Sequence, residues 1–370
     1  MKVNGGRIKL ARERRQLTSA HLAERVGISP ATLSRAENGV LTIDAEVLEE
    51  IATYLRFPRS YFEKADPPFP SHASFRSSAR LSAKLRKSAL AAGSFGVEFS
   101  RFVADEFDLP EPNVLRDEAN LESEDAATLL RNEWGIGNRP IGDLVNLLEG
   151  NGIRVFSLAE SGADVDAFSF WQDNEPFIFL NTMKSSERTR FDAAHELGHL
   201  MMHWHLAEGL VRNDYDPKRM EDEANRFASS FLMPARDVVA NSSFIRSFHD
   251  VIALKERWGV SAVALAHRLR GLSRVSEWSY RSIMIELAKR GYRRSEPNSK
   301  PREKSQIWEM VFSAFWLEGL TREDVARKVG IPFEDFNDLF RDLLGGAQKE
   351  GVEHGGQEPG IRLIHSAGGK

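Results

Sequence analysis

The 370-residue chain contains no cysteine. That excludes disulfides and thiolate metal centres, so any metal must be held by His, Asp or Glu. The absence also suits a reducing cytoplasm, where this protein is expected to act. No run approaches the ~20 consecutive apolar residues that a membrane span needs, so no membrane partner is expected. The N-terminal MKVNGGRIKLARERR lacks the apolar stretch of a secretory signal. An overall excess of positive charge is missing too: 50 Lys and Arg stand against 54 Asp and Glu, a net charge of −4. What remains is 41 % apolar and 28 % charged, an ordinary globular makeup long enough for two or three domains.

The charge is uneven along the chain. Residues 1–15 carry Lys2, Arg7, Lys9, Arg12, Arg14 and Arg15 against the single acid Glu13. Residues 76–90 carry Arg76, Arg80, Lys84, Arg86 and Lys87 and no acid. Residues 105–133 then hold ten acids and only Arg116 and Arg131. Local basic runs of this kind serve phosphate contact or form solvated helix faces. For 76–90 the solvated face is the simpler reading.

Proline-rich DPPFPSHAS (66–74), polar YRRSEPNSKPREKS (292–305) and the glycine-rich stretch from Gly345 punctuate the chain. They divide it into a helical module over 1–65 and a linker and helical connector over 66–124. A larger unit over 125–291 follows, then a linker over 292–304. A helical segment over 305–344 and a tail over 345–370, expected to be disordered, complete the chain. Helices are expected over 75–135, broken at Pro110 and Pro112. IRVF (153–156), AFSFW (167–171) and PFIFLN (176–181) are short, aromatic and β-branched, and read as strands. The last two form a hairpin around Asp173-Asn174. Helical periodicity resumes from 185 to 290. A small antiparallel sheet among helices makes the larger unit α+β in a mainly helical, multidomain chain.

In the first module, Leu10, Leu17, Leu22, Val26, Ile28, Leu33 and Leu48 supply a core for short helices. Thr18 caps one helix and Gly27 ends it. Ser29 caps the next, with Pro30 at its first position. Two short helices joined by Gly-Ile-Ser form a helix-turn-helix, the second of which enters a major groove. The stretch LTSAHLAERVGISPATLSRAENG closely resembles the XRE (lambda-repressor-like) helix-turn-helix family. The resemblance implies a double-stranded operator DNA partner and a homodimer reading two half-sites. By position it implies Ser19, Ser29, Ala31, Thr32 and Arg35 as the DNA-contacting residues. Ser19 stands where the family often has a longer, phosphate-contacting Gln.

In the larger unit, FDAAHELGHLMMH (191–203) carries His-Glu-x-x-His. Positions i and i+4 share a helix face, so His195 and His199 can offer two imidazoles to one ion. Glu196 lies beside the first, able to act as a base. A third ligand must come from elsewhere. MEDEANRFASSFLMP (220–234) offers Glu221 and, as runner-up, Glu223. RFDAAHELGHLMMHW, together with this stretch and LKERWGVSAVALAHRLRGL (254–272), is similar to the ImmA/IrrE family of zinc metallopeptidases. The resemblance implies a zincin-like fold and a Zn2+ ion on His195, His199 and Glu221, with Glu196 as catalytic base. Asn225, at i+4 from Glu221, falls on the same face and would support a ligand by hydrogen bonding. The strand FIFLN is the expected substrate edge. The group that stabilises the oxyanion is unassigned among His203, His205, Tyr215 and Arg190, and His203 reads first as a structural histidine.

WEMVFSAFWLEGLTREDVARKVGIPFEDFNDLF (308–340) reads helix, turn, helix once more. Its second helix is acidic, which disfavours DNA and favours docking or oligomerisation. The functional expectation is a DNA-binding regulator with its own zinc endopeptidase, cleaving a repressor- or antitoxin-like protein. The rival is a transcription factor whose peptidase-like part only senses a ligand or binds a partner.

Overall fold

The computed structural model describes residues 3–70, 73–75, 82–116, 121–158, 165–206, 216–243, 245–292, 296–345 and 362–363. Helix starts follow local chemistry. Thr18, Ser29, Ser82, Ser185, Ser261, Ser276 and Ser305 each accept a backbone N–H from the first turn of the helix that follows. Each bond satisfies a donor the helix cannot satisfy itself.

The N-terminal module contains α1 (Gly5–Arg14), α2 (Ser19–Arg25), α3 (Pro30–Glu37) and α4 (Ala45–Leu55), closed by a 3-10 turn over Arg59–Glu63. Leu10, Leu22, Val26, Leu33 and Leu48 are buried, while Leu17 and Ile28 pack at the margin of that core. The chain then forms β1 (Ser74–Phe75), α5 (Ala83–Ala104), β2 (Phe107–Asp108), α6 (Ser123–Glu133) and α7 (Leu144–Gly150). Next come β3 (Arg154–Ser157), β4 (Ala167–Gln172) and β5 (Glu175–Leu180), followed by α8 (Ser186–Met202) and α9 (Pro217–Leu232). Four helices complete the larger unit: α10 (Ala235–Asn241), α11 (Phe248–Lys255), α12 (Ala262–Gly271) and α13 (Glu277–Lys289). The last elements are α14 (Gln306–Leu317), α15 (Arg322–Val329), α16 (Phe333–Asp338) and β6 (Arg362–Leu363).

The expected hairpin joins β4 to β5. Asp173 and Asn174 take φ of 52° and 64°, the two positive values that a tight two-residue loop requires. Two expectations fail at this sheet. Its order is β1-β4-β5-β3, so the FIFLN strand is internal and cannot be a substrate edge. And β3 runs parallel to β5, so the sheet is mixed rather than antiparallel. Alternation along a strand specifies which face is buried, not which neighbour pairs or in which direction.

The two sheet faces belong to different cores. Phe156, Phe168, Phe170, Phe177 and Phe179 join α5, the N-terminal module and the C-terminal helices in one cluster. At Gly96 of α5 an added Cβ would lie 2.6 Å from the Phe179 ring, so a bare backbone is what lets this helix approach the sheet. Val155, Ala167, Ile178 and Leu180 face the other way, clustering with Ala193, Ala194 and Leu197 of α8. That second face carries the candidate site.

The four arginines of the N-terminal basic run are committed to carboxylates within the protein. Arg7 pairs with Glu98 at 3.0 Å, Arg12 with Glu37 at 2.6 Å, and Arg14 and Arg15 both reach Asp335 of α16 at 2.7 Å. Lys64 donates to the Val329 carbonyl. The C-terminal helices thus dock on the N-terminal module. Of the second basic run, Lys84, Arg86 and Lys87 lie exposed on the first turn of α5, and Arg76 and Arg80 fall outside the described residues. Most of the tail lies outside them as well, but Arg362–Leu363 pair antiparallel with β2.

Candidate metal centre and recognition helix

Helix α8 sits on the sheet by its Ala and Leu face, and α9 crosses close above it. Gly198 permits that approach: a Cβ there would lie 3.0 Å from the Phe227 ring. The space beside the site is therefore filled by Phe227 rather than left open. On α9, Asp216 caps and Pro217 takes the first turn, while Ala224, Phe227, Ala228 and Phe231 are buried.

This crossing brings His195, His199 and Glu221 together, with ligand atoms all within 4.8 Å of one another. His195 Nε2 and His199 Nε2 are 3.1 Å apart, and Glu221 oxygens lie 3.5 and 3.4 Å from them. His195 and Glu196 are fully buried and His199 is 4 % exposed.

The far nitrogens of both imidazoles are already committed. His195 Nδ1 donates to Asn225 Oδ1 at 3.1 Å. His203 Nε2 donates to Glu223 Oε2 at 3.2 Å, leaving His203 Nδ1 to accept from His199 Nδ1 at 2.9 Å. Burial, then the adjacent His199, lower His203 to about 3, consistent with a neutral ring, although Glu223 pulls the other way. Both Nε2 atoms therefore present lone pairs to each other and to a carboxylate. A cation placed between them would relieve that crowding of electron density, so the residues fit a metal ion. Two nitrogens and one oxygen without sulfur suit zinc. Glu223, the runner-up ligand, instead supports His203 and pairs with Arg219 at 2.8 Å.

Glu196 points to the sheet. Ser169 Oγ donates to its Oε2 at 2.7 Å. Sequence reasoning missed Ser169, though a signal existed. Alternation in AFSFW puts Ala167, Ser169 and Trp171 on one face, and a lone hydroxyl on a buried face asks for a partner. Among the oxyanion candidates, Arg190 is excluded because it is buried, with its guanidinium on Glu303 and the Ile141 carbonyl. His203 is spent on the relay just described, and Tyr215 lies outside the described residues. His205 is half-buried, its ring 6.5 Å from that of His203. A cavity of about 1330 Å³ opens beside Asn225 and Asp192, between α6, α8, α9 and α12, but the three ligand residues do not line it.

In the N-terminal module, α3 leaves Ala31 and Arg35 exposed and Thr32 half-exposed. Ser29 is exposed at the cap, its Oγ 2.8 Å from Thr32 Oγ1. Ser19 is the exception. Its hydroxyl is enclosed by protein and without a hydrogen-bond partner among the described residues, so it is not offered to a phosphate. Thr18 takes the capping role, accepting from the His21 N–H at 3.2 Å.

Two family models match parts of the chain. The helix-turn-helix domain model matches residues 5–63, and the IrrE N-terminal-like domain of peptidase family M78 matches residues 148–270. The chain is a fusion of these two domains. No curated protein matches it significantly. The helix-turn-helix supports a DNA-binding regulator, and the M78 domain supplies a metallopeptidase-like module. Among the described residues, no helix is long and apolar enough to cross a membrane.

Proposed function

We propose that this protein is an operator-binding regulator whose M78 domain is a zinc endopeptidase acting on a partner protein, such as a repressor or antitoxin. The observation that carries the reading is the convergence of His195, His199 and Glu221 beside a buried Glu196 that Ser169 holds in place. A zinc ion bound there would polarise the scissile carbonyl and make water nucleophilic near neutral pH. The chain's own residues do the rest. Asn225 fixes the His195 ring, and the His203–Glu223 pair fixes His199. Glu196 takes the proton from the attacking water and passes it to the leaving amine. Ser169 keeps one carboxylate oxygen of Glu196 aligned with the sheet. With β5 paired on both sides and β4 paired with β1 only through Phe168 and Ser169, the rest of the outer side of β4 is where an extended substrate would pair. Arg35, Ala31 and Thr32 would face the operator, and a homodimer would read its two half-sites.

Glu196→Gln is expected to retain zinc and lose cleavage; His195→Ala and Glu221→Ala lose both. Glu223→Ala should weaken zinc by only about 10–100-fold. Comparing protein N-termini in cells carrying wild type or Glu196→Gln would identify the substrate. Unchanged N-termini, with zinc retained in His195→Ala, would defeat the reading. The cavity beside Asn225 favours a second reading, in which the domain senses a small ligand without hydrolysis. In that case Glu196→Gln would leave regulation intact.

A further inference from the structure

Strand β4 has a neighbour besides β5. That neighbour is β1, antiparallel, with Ser74 opposite Ser169 and Phe75 opposite Phe168. Ser169 is the residue whose hydroxyl holds Glu196. So β1 covers the part of β4 that carries the support of the proposed base, along the edge a substrate would need.

The approach to this pairing is anchored at successive points. As the chain leaves the N-terminal module, Asn4 Nδ2 donates to Asp66 Oδ1 at 2.9 Å and Arg7 Nε to the Ala65 carbonyl at 2.6 Å. Pro68 and Pro70 are buried. Pro70 lies over Gly93 of α5, where an added Cβ would meet Pro70 at 3.1 Å and the Phe170 and Phe168 rings at 3.3 and 3.4 Å. Ala73 is 8 % exposed. An edge strand offers the same backbone donors and acceptors to any extended segment, so a segment already holding them excludes a second. Two residues are also far fewer than the usual five or six of a strand, so the pairing is small enough to exchange.

We propose that β1 is an intramolecular occupant of the peptide-binding edge, and that another polypeptide pairs with β4 only when this connector leaves it. The identity of the edge as a substrate edge rests on the peptidase reading; the pairing itself does not. Because the connector starts at the module carrying α3, its release would link operator binding to access at the metal centre.

The test uses the zinc-loaded full-length protein carrying Ser74→Pro and Phe75→Pro together. Proline has no N–H, so whichever residue bonds to β4 loses that bond. The probe is a fluorescein-labelled peptide with the sequence of residues 66–80, read by anisotropy. The double variant is expected to bind it at least about tenfold more tightly than wild type. Amide exchange at Phe168–Phe170 should accelerate in the variant and slow again when the peptide is added. Equal binding to both proteins, or to neither, overturns the proposal. Exchange in the wild type decides even if the variant does not fold: rates at Phe168–Phe170 like those of an exposed loop would overturn it as well. Peptide binding that persists in a Glu196→Gln background supports occupancy independently of hydrolysis. Should wild type then cleave nothing, the peptidase reading falls while the occupancy stands.

Discussion

Two stretches of this chain follow one rhythm, LTSAHLAERVGISP at residues 17–30 and LTREDVARKVGIPF at 320–333, and the fold uses them in opposite ways. Thr18 and Thr321 both cap a helix, and Gly27 and Gly330 both turn with positive φ, 67° and 76°. Val26 and Val329 are both buried. The helices after the turn differ. In α3, Ala31, Ser34 and Arg35 face solvent. In α16, Asp335 is 3 % exposed between Arg14 and Arg15, and Phe336 packs on Phe99 and Phe312. The shared rhythm sets the turn. What the second helix presents decides whether the unit can read DNA or is consumed in holding the molecule together.

Breaking the docked unit should have the largest effect. Asp335→Ala leaves two arginines in a largely buried site without their shared carboxylate, a loss of about 3–5 kcal/mol in denaturant unfolding. Burial raises the Asp335 carboxyl, but Arg15 and Arg14 outweigh it and hold it below the usual range. A depressed folded pKa contributes stability above the unfolded value of about 3.9, and that contribution is lost as pH falls through the folded value. Thermal melting should therefore fall more steeply with acid in wild type than in Asp335→Asn.

Arg35→Ala tests the other half of the contrast. It should weaken binding to a selected operator by about 1–3 kcal/mol, measured by anisotropy at a stated salt concentration, with melting unchanged. Glu334→Ala, on the exposed start of α16, should leave operator binding as it is. Loss of binding in Glu334→Ala would mean that the second unit also touches DNA.

The smallest effect comes from the matched glycines. Forcing a Cβ into the left-handed region costs about 1–2 kcal/mol at either position. At Gly27 nothing else lies within 4 Å, whereas at Gly330 the new Cβ would also meet Lys64 Nζ at 2.5 Å. Gly330→Ala should lower the melting midpoint more than Gly27→Ala, and only the former should loosen the C-terminal helices in amide exchange. Equal shifts would remove the distinction between a docked turn and a free one.

Much of the candidate site was legible because its spacing is local. An i, i+4 pair of histidines lies on one face of any helix, and Asn225 follows Glu221 by the same arithmetic. The Asp173-Asn174 hairpin and the Ser and Thr caps are equally short-range. Alternation in AFSFW marked Ser169 as a buried hydroxyl in need of a partner, but not which one, because nothing near it in the chain points to a carboxylate 27 residues away. The roles of Glu221 and Glu223 could not be separated by spacing either. They part because residues two apart on a helix point in different directions, and the packing of α9 on α8 sends Glu221 to the histidine pair and Glu223 to His203. The basic N-terminal run misled for a related reason, since Asp335, the partner of Arg14 and Arg15, lies some 320 residues on.

The residues by themselves determined the two domain types, the helix that bears the histidines and the turn that aims α3, because each depends on contacts within a few residues. Tertiary structure alone decided which carboxylate joins the histidine pair, how the strands are ordered and what lies along β4. Those outcomes depend on distant segments meeting, and pairing between far parts of a chain follows from packing the whole core rather than from any local pattern.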